Sequence, residues 1–320
     1  MNLKQNQMEV GKLNKLFYQM KNSFSWFGSR RNRKDLAAGL LFLLPSIIIF
    51  AVFVYYALGF NIYLSFTSWN FLSPVKKFIG LTNFERLFTD PRFWKIMLNT
   101  TYYAVGTIVS SLTLGLIFAL LLNQKIPGRG LFRTIIFSPY VTTTAAVAVL
   151  WIWMFDPSYG LINSGLSWFG ITGPRWLTDV NWAMPALLIM NTWRQSGYAM
   201  VIFLGGLTNI SREYYEAAQL DGANRFKSFL YITLPLLSPT IFFLIVTSLL
   251  GAFQVFDQVA VMTQGGPVDA TKVINYAIYT EAFVSFRAGY SAAISTVLFI
   301  ILLTVTIIQM RLSKRWVHYQ

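Results

Sequence analysis

The sequence lacks cysteine, has a single histidine (His318) in its C-terminal tail, and is poor in charge, with 12% charged residues among 320. Without cysteine, a disulfide-stapled fold and any cysteine-ligated zinc or iron–sulfur site are excluded. Soluble domains typically carry about 25% charged residues. Because 55% of this chain is hydrophobic, the composition argues against a water-soluble enzyme and indicates an integral membrane protein.

Several stretches are long and apolar enough to cross a bilayer, whose hydrocarbon core needs about 20 helical residues. We therefore predict an all-α polytopic protein with six transmembrane helices in a domain of residues 36–311. Residues 1–35 form a basic tail, with an interfacial helix expected around residues 13–27, and residues 312–320 form a second tail. The predicted spans are residues 36–60, 96–124, 134–155, 182–207, 228–256 and 288–310.

The basic residues set the predicted orientation. The formal net charge is +14, from 26 Lys and Arg against 12 Asp and Glu. A basic chain can bind nucleic acid, but here the basic residues alternate with apolar runs, so we predict no nucleic-acid partner. Both tails and the loops around residues 125–133 and 208–229 together hold 17 of the Lys and Arg residues, the other loops hold 8, and Arg194 lies within a span. By the positive-inside rule, both termini are predicted to be cytoplasmic.

The predicted cytoplasmic loop 208–229 is polar and has strong helical character. Ser211 is a plausible N-cap, and Gly222 supplies a break or a left-handed cap. A short exposed helix with small residues on one flank permits close approach by another protein. A solvated amphipathic connector is the alternative interpretation. The residues that would meet a partner are the small Ala217 and Ala218 and the charged Glu216 and Asp221.

Polar residues inside the predicted fourth and fifth spans are candidates for function, because they are costly in a membrane. Asn191, Arg194, Gln195 and Tyr198 are spaced to share one helical face. That face lines a watery cavity or a partner interface, or it forms a buried polar network between helices. Arg194 suggests a cargo with a carboxylate or phosphate group, or equally a charge pair with a partner subunit. In the fifth span, Ser248, Gly251 and Val255 share a face, with Gln254 and Gln258 at its margin.

The sequence supplies no catalytic or metal-ligating set. The only fragment that suggests a P-loop, Phe226-Lys227-Ser228, has phenylalanine in place of the required second glycine. An ion-coupled secondary transporter is an alternative function, but it needs a carboxylate relay, and four of the predicted spans contain no Asp or Glu. A membrane-embedded enzyme would need clustered His, Asp and Glu. We therefore predict that the chain is not an enzyme.

An ordered set of motifs resembles the membrane (permease) subunits of ATP-binding-cassette importers, in their carbohydrate-uptake branch, which includes the maltose and glycerol-phosphate permeases. The resemblance covers most of the chain from about residue 36 to residue 310. The motifs are Asn191-Thr192-Trp193, Glu216-Ala217-Ala218 followed by Gly222, Ile232 to Pro235, Phe253 to Asp257, and Thr263-Gln264-Gly265-Gly266-Pro267.

The resemblance implies a type I importer permease fold in the bacterial cytoplasmic membrane, with ATP-driven alternating access. It implies that residues 208–229 form a coupling loop, in which Glu216, Ala217, Ala218 and Gly222 meet a separate ATPase and Asp221 shapes the turn. It also implies a sugar pathway that includes Arg194, Gln195, Tyr198, Ser248, Gly251, Ala252 and Val255. Because Ala252 and Val255 stand where the maltose type has polar residues, maltose is not the expected cargo.

The resemblance also implies an assembly of several subunits. We expect a second homologous permease, a dimer of ATPase subunits and an extracytoplasmic solute-binding protein, which would dock on the outer loops that include Gly265-Gly266-Pro267. No cofactor is expected in this chain, because ATP and Mg would be bound by the partner ATPase.

Overall fold

The computed structural model describes residues 30–124 and 126–317, so the interfacial helix expected around residues 13–27 lies outside the described residues. These residues are overwhelmingly helical, which confirms the predicted fold class. The helices are α1 (Arg30–Phe50), α2 (Ala57–Ser65), α3 (Thr82–Thr89), α4 (Pro91–Leu122), α5 (Arg129–Val141), α6 (Thr144–Met154), α7 (Leu161–Ser167), α8 (Ala183–Thr208), α9 (Arg212–Leu220), α10 (Arg225–Ser228), α11 (Leu234–Leu236), α12 (Ser238–Phe253), α13 (Asp257–Met262), α14 (Ile274–Tyr279) and α15 (Ala288–Trp316).

The chain divides into two compact units, Met1–Asn61 and Ile62–Gln320. The described part of the first unit is helical throughout, because a π-helical turn (Ala51–Tyr56) joins α1 to α2. Its helix begins at Arg30, inside the range predicted as a tail. The segment Ala38–Ser65 is long and apolar enough to cross a membrane, and its most apolar stretch is exposed. Such an apolar surface requires a non-aqueous environment, as a bilayer or a partner subunit provides.

Helices α4 and α8 form the centre of the second unit, where they pack closely side by side. Small residues make this possible: a Cβ atom on Gly115 of α4 would lie 2.5 Å from the Cβ of Ala199 and 3.0 Å from the backbone nitrogen of Met200. On its other side, α8 approaches α5 at Gly197, where a Cβ would collide with the Ile136 carbonyl oxygen. Close backbone approach through small residues is typical of helix packing in membranes. These two close contacts fix the rotation of α8 about its own axis, and with it the direction of its polar face.

Two predicted spans are bent. The third contains α5 and α6, which meet at 100°. Pro139 lies inside α5, and Thr142 and Thr143 both have extended backbones, with ψ values of 144° and 136°. The fifth bends by 62° at Leu237, between residues 225–236 and α12. A π-helical turn (Phe229–Thr233), Pro235 and Pro239 surround this bend. Each of these predicted spans is a pair of helices with a bend between them, because proline and extended threonines interrupt the backbone ladder.

Within the described residues, three helices are long and apolar enough to cross a membrane, or up to five if each bent pair counts as one span. The three are Ala38–Ser65, Pro91–Leu122 and Ala288–Lys314. The predicted fourth span corresponds to α8, whose 26 residues give a length of about 39 Å at 1.5 Å per residue. Helix α8 is not among these three because its polar face makes it less apolar than they are.

A small β-hairpin follows α2. Its strands β1 (Thr67–Ser68) and β2 (Lys77–Phe78) are antiparallel, with Thr67 opposite Phe78. Asn83 of α3 is buried and its amide donates to the carbonyl oxygens of Ser65 (2.8 Å) and Thr67 (2.9 Å). This places the hairpin beside α3 and the start of α15.

Candidate functional site

A polar cavity of about 200 Å³ lies between α8 and the chain segment that runs from α12 into α13. Helix α4 closes one wall with Tyr103 and Thr107, and Thr144 belongs to the corner between α5 and α6. The other lining residues are Asn191, Arg194, Gln195, Ser248, Gly251, Ala252, Gln254, Val255, Phe256, Asp257 and Gln258.

All the predicted pathway residues except Tyr198 line this cavity. Tyr198 instead stacks on Tyr140 of α5, with ring centroids 4.7 Å apart. The reason is its position on the helix, because Tyr198 lies one turn beyond Arg194, where α8 packs against α5. The cavity is built from two faces that the sequence pattern identified separately, and the fold brings them together.

Arg194 connects the cavity to the corner between α5 and α6. Its Nη2 donates to the carbonyl oxygens of Tyr140 (3.2 Å) and Thr142 (3.4 Å), at the end of α5. Its guanidinium carbon also lies 5.3 Å from the centroid of the Tyr140 ring. The last carbonyls of a helix have no intrahelical donor and carry partial negative charge, so a guanidinium stabilises them. The other cavity-lining charge is the carboxylate of Asp257.

A hydrogen-bonded network forms one wall of the cavity, and the sequence analysis identified its members Asn191 and Gln258 but missed Tyr103 and Thr107. Gln258 donates from Nε2 to the Tyr103 hydroxyl at 2.5 Å, and the same nitrogen lies 3.5 Å from Asn191 Oδ1. Asn191 donates in turn to the Thr107 hydroxyl at 3.4 Å. Tyr103 and Thr107 are four residues apart on α4, and this spacing was the only available sign that both face one neighbour. Their hydroxyls are ordinary in a helix, so the pattern alone did not identify them.

The loop 208–229 contains the short helix α9, as the sequence predicts. Ser211 caps it, with its hydroxyl accepting from the Glu213 backbone nitrogen at 3.4 Å. The helix ends in a left-handed turn at Gly222, whose φ is +77°, and Ala223 closes the turn by donating to the Ala218 carbonyl (2.8 Å). Glu216, Ala217, Asp221 and Gly222 are exposed and Ala218 is half-buried.

One side chain fastens α9 to the bent fifth span. Tyr215 packs into a buried hydrophobic cluster with α8 residues. Its hydroxyl lies 3.0 Å from the Thr233 hydroxyl, in the π-helical turn that leads to the bend. Tyr215 thus connects α9 to the bent fifth span, whose α12 residues line the cavity.

The segment containing Gly265-Gly266-Pro267 is tightly organised at the other end of α4. Thr271 donates to the Gly266 carbonyl (2.7 Å), and Asn99 of α4 donates to the carbonyls of Asp269 (2.8 Å) and Lys272 (3.1 Å). The Gly266–Pro267 peptide bond is cis. Val268 projects from the segment with 80% of its surface exposed.

Residues 111–318 match the family model described as "Binding-protein-dependent transport system inner membrane component". The chain belongs to this family. Among its relatives, a probable ABC transporter permease protein of Pyrococcus horikoshii is 36% identical over 87% of this chain and 96% of that protein. The lactose transport system permease protein LacF of Rhizobium radiobacter is 38% identical over 84% of this chain and 91% of that protein.

A solved structure has the same architecture. It is a chain of a bacterial ABC transporter involved in the import of the acidic polysaccharide alginate. The TM-score is 0.77 at 28% identity, with 89% of this chain and 99% of that chain covered. The resemblance to ABC importer permeases and the type I fold it implied are thereby confirmed. The chain is an inner-membrane permease subunit and not an enzyme, as the sequence predicts.

Proposed function

We propose that this permease moves a sugar or oligosaccharide across the cytoplasmic membrane by ATP-driven alternating access. The observation that carries the proposal is the polar cavity between α8 and the α12–α13 segment. Amides and hydroxyls such as those of Asn191, Gln195, Ser248 and Gln254 pair well with sugar hydroxyls. The similar proteins handle lactose and alginate, which supports a saccharide as cargo.

We further propose that the cargo carries an acidic group, such as a uronate carboxylate, and that this group meets Arg194. Only the Nη2 atom of Arg194 donates to carbonyl oxygens within the described chain, so Nη1 remains as a donor on a side chain that lines the cavity. Hydrogen bonds between a guanidinium and a carboxylate are among the stronger ones in proteins. Asp257 lines the same cavity and would repel an acidic group, so the acidic end of the cargo would approach from the Arg194 side.

The energy would come from a separate ATPase dimer, which binds ATP and Mg and docks on α9 through Glu216, Ala217, Ala218, Asp221 and Gly222. A second homologous permease would complete the pathway. An external solute-binding protein would deliver the cargo to the loop around Gly265-Gly266-Pro267. Both termini and loop 208–229 would lie in the cytoplasm. The exposure of α9 and its hydrogen-bonded attachment through Tyr215 support the docking role.

Co-expression with the neighbouring genes, followed by purification in detergent, tests this proposal. We expect a homologous permease and an ATPase to co-purify, and ATP hydrolysis to rise when a saccharide-loaded binding protein is added. Uptake in proteoliposomes by this chain alone, without ATP, would contradict it. Failure of every tested saccharide to stimulate ATP hydrolysis, in an assembly that another class of solute stimulates, would contradict the sugar assignment.

A further inference from the structure

A second, larger pocket of about 450 Å³ lies outside the cavity, between the β-hairpin, α3 and the start of α15. We call it the hairpin pocket. It shares no lining residue with the cavity and no Asp or Glu lines it. Its lining residues are Thr67, Ser68, Trp69, Asn70, Ser73, Val75, Lys77, Asn83, Arg86, Phe286, Arg287, Gly289 and Tyr290.

The walls of the hairpin pocket are fixed by backbone contacts. Gly289, at the start of α15, donates from its backbone nitrogen to the Trp69 carbonyl at 3.2 Å. The Thr67 carbonyl leaves no room for a Cβ at Gly289, so α15 and the hairpin meet at the closest possible distance. With Asn83 holding the hairpin to α3, the pocket is formed before any ligand arrives.

Two arginines converge on one ring at the base of this pocket. The guanidinium carbons of Arg86 and Arg287 lie 5.1 Å and 5.6 Å from the centroid of the buried Tyr290 ring. Glu281 neutralises Arg287 at 2.5 Å, whereas Arg86 has no carboxylate within 4.0 Å among the described residues. Lys77 adds a third cation to the lining. Positive charge held together without equal negative charge attracts an anion.

The remaining lining residues suit a sugar ring. Trp69 lines the pocket with its aromatic ring, which the Lys76 Nζ atom approaches to 4.7 Å and the Phe71 ring to 4.9 Å, and its indole nitrogen donates to the Ser73 carbonyl at 2.8 Å, which fixes the ring. Ser68, Asn70 and Ser73 supply hydroxyl and amide groups. Apolar sugar faces pack on aromatic rings, while hydroxyls need such hydrogen-bonding partners. An acidic side chain of a protein would use the cations but would leave most of a pocket of this volume unfilled.

We propose that the hairpin pocket binds an acidic saccharide, with its carboxylate on Arg86 and a ring beside Trp69. It is a second saccharide site of the chain, separate from the cavity. The proposal rests on the proposed function only for the choice of a saccharide as ligand. Binding to the hairpin pocket is independent of whether Arg194 contributes to transport.

Direct binding to the full-length permease in nanodiscs, with its co-purified subunits but no solute-binding protein, tests the proposal. The probes are digalacturonate and its methyl ester, which has the same rings without the charges. Arg86→Gln removes the unpaired cation, and Arg175→Gln, an exposed arginine outside both sites, is the matched control. Arg194→Gln is included to identify binding in the cavity. Thermal unfolding of each variant is measured alongside.

We expect digalacturonate to bind the wild type, Arg175→Gln and Arg194→Gln, and the methyl ester to bind much more weakly. Arg86→Gln should weaken digalacturonate binding by about tenfold or more, as expected for a charged hydrogen bond, with an unchanged unfolding temperature. Equal binding of acid and ester, or unchanged binding to Arg86→Gln, would overturn the proposal. An effect of Arg86→Gln only on stimulation by the binding protein would also overturn it and identify a protein-docking surface. Loss of binding in Arg194→Gln alone would place the ligand in the cavity and leave the proposed function intact.

Discussion

Arg194 has two tasks in this structure, and they can be separated by experiment. Its Nη2 holds the carbonyls at the end of α5, while its side chain also lines the cavity. We expect Arg194→Gln to raise the KM for an acidic saccharide by about tenfold or more, because a charged hydrogen bond contributes about 1.5–3 kcal/mol. Uptake of a neutral saccharide that the wild type transports should change far less.

Uptake kinetics in proteoliposomes with both saccharides provide this measurement. Arg194→Lys retains the charge but not the planar donor group, and it should recover part of the affinity for the acidic saccharide. Equal losses for acidic and neutral cargo, together with a lower unfolding temperature, would show that Arg194 serves only to hold the corner.

Gly222 is required for its backbone conformation, since its φ of +77° is unfavourable for any residue with a Cβ. Gly222→Ala should strain the end of α9 by about 1–2 kcal/mol. Because the strain lies in the surface proposed to meet the ATPase, we expect reduced uptake at retained basal ATP hydrolysis. The measurement is the ratio of cargo imported to ATP hydrolysed in the assembled transporter.

Gly128 provides a matched control for Gly222. It has a similar φ of +72°, and a Cβ at either position would meet no atom within 4 Å. Gly128→Ala therefore carries the same backbone strain outside the coupling loop. If both variants reduce the ratio equally, the effect is general strain and Gly222 has no special part in coupling.

Residues with unusual chemistry for a membrane span could be predicted from the sequence, and residues with ordinary chemistry could not. Arg194 and Gln195 stand out within an apolar stretch, and both line the cavity. Tyr103 has nothing unusual in sequence, yet it supports a wall of the cavity through Gln258, 155 residues away. Helical spacing predicts that Tyr198 shares a face with Arg194, and both side chains contact Tyr140. Only the packing of α8 against α5 decides that Tyr198 lies outside the cavity.

At the scale of elements, α9 is attached to the bent fifth span by the packing of the Tyr215 ring and by one hydrogen bond of its hydroxyl. Tyr215→Phe removes the hydroxyl that meets Thr233 and retains the ring that packs in the cluster. A neutral hydrogen bond contributes about 0.5–1.5 kcal/mol, so folding should be preserved. We expect the variant to import less cargo per ATP, because movement of α9 is transmitted less firmly to the cavity.

The coupling ratio and the unfolding temperature of Tyr215→Phe should be compared with those of Tyr214→Phe. Tyr214 is adjacent on α9 but 51% exposed, so its hydroxyl should be dispensable for this attachment. A normal ratio for Tyr215→Phe would rule out this hydrogen bond as part of the coupling path.

The helices themselves were largely predictable, while their bends were not. Apolar composition gives the position of a span, but the 100° corner between α5 and α6 depends on Thr142 and Thr143 having extended backbones. Proline was visible at position 139, but proline is often tolerated in membrane helices when neighbours satisfy the freed carbonyls. Here Arg194 of another helix satisfies carbonyls at the corner, a contact of long sequence separation.

At the scale of the whole molecule, the chain has surfaces that it does not cover itself. The most apolar stretch of Ala38–Ser65 is exposed among the described residues. The second surface is α9, where 91% of the Leu220 side chain is accessible. One surface is apolar along a span-length helix, and the other is a short polar helix in a loop that carries charges of both signs. Their different chemistry fits the proposed assembly, in which a bilayer and second permease meet the first surface and an ATPase meets the second.

The proposed orientation can be tested directly because the chain contains no native cysteine. Val268→Cys places a thiol in the loop proposed to be external, and Lys314→Cys places one near the end of α15, proposed to be cytoplasmic. A membrane-impermeant maleimide added to intact spheroplasts should label Val268→Cys, which replaces an 80% exposed side chain. Lys314→Cys should react only after the membrane is permeabilised, and that second labelling controls for accessibility. The reverse pattern would place α9 outside the cell, where it could not meet an ATPase that depends on cytoplasmic ATP.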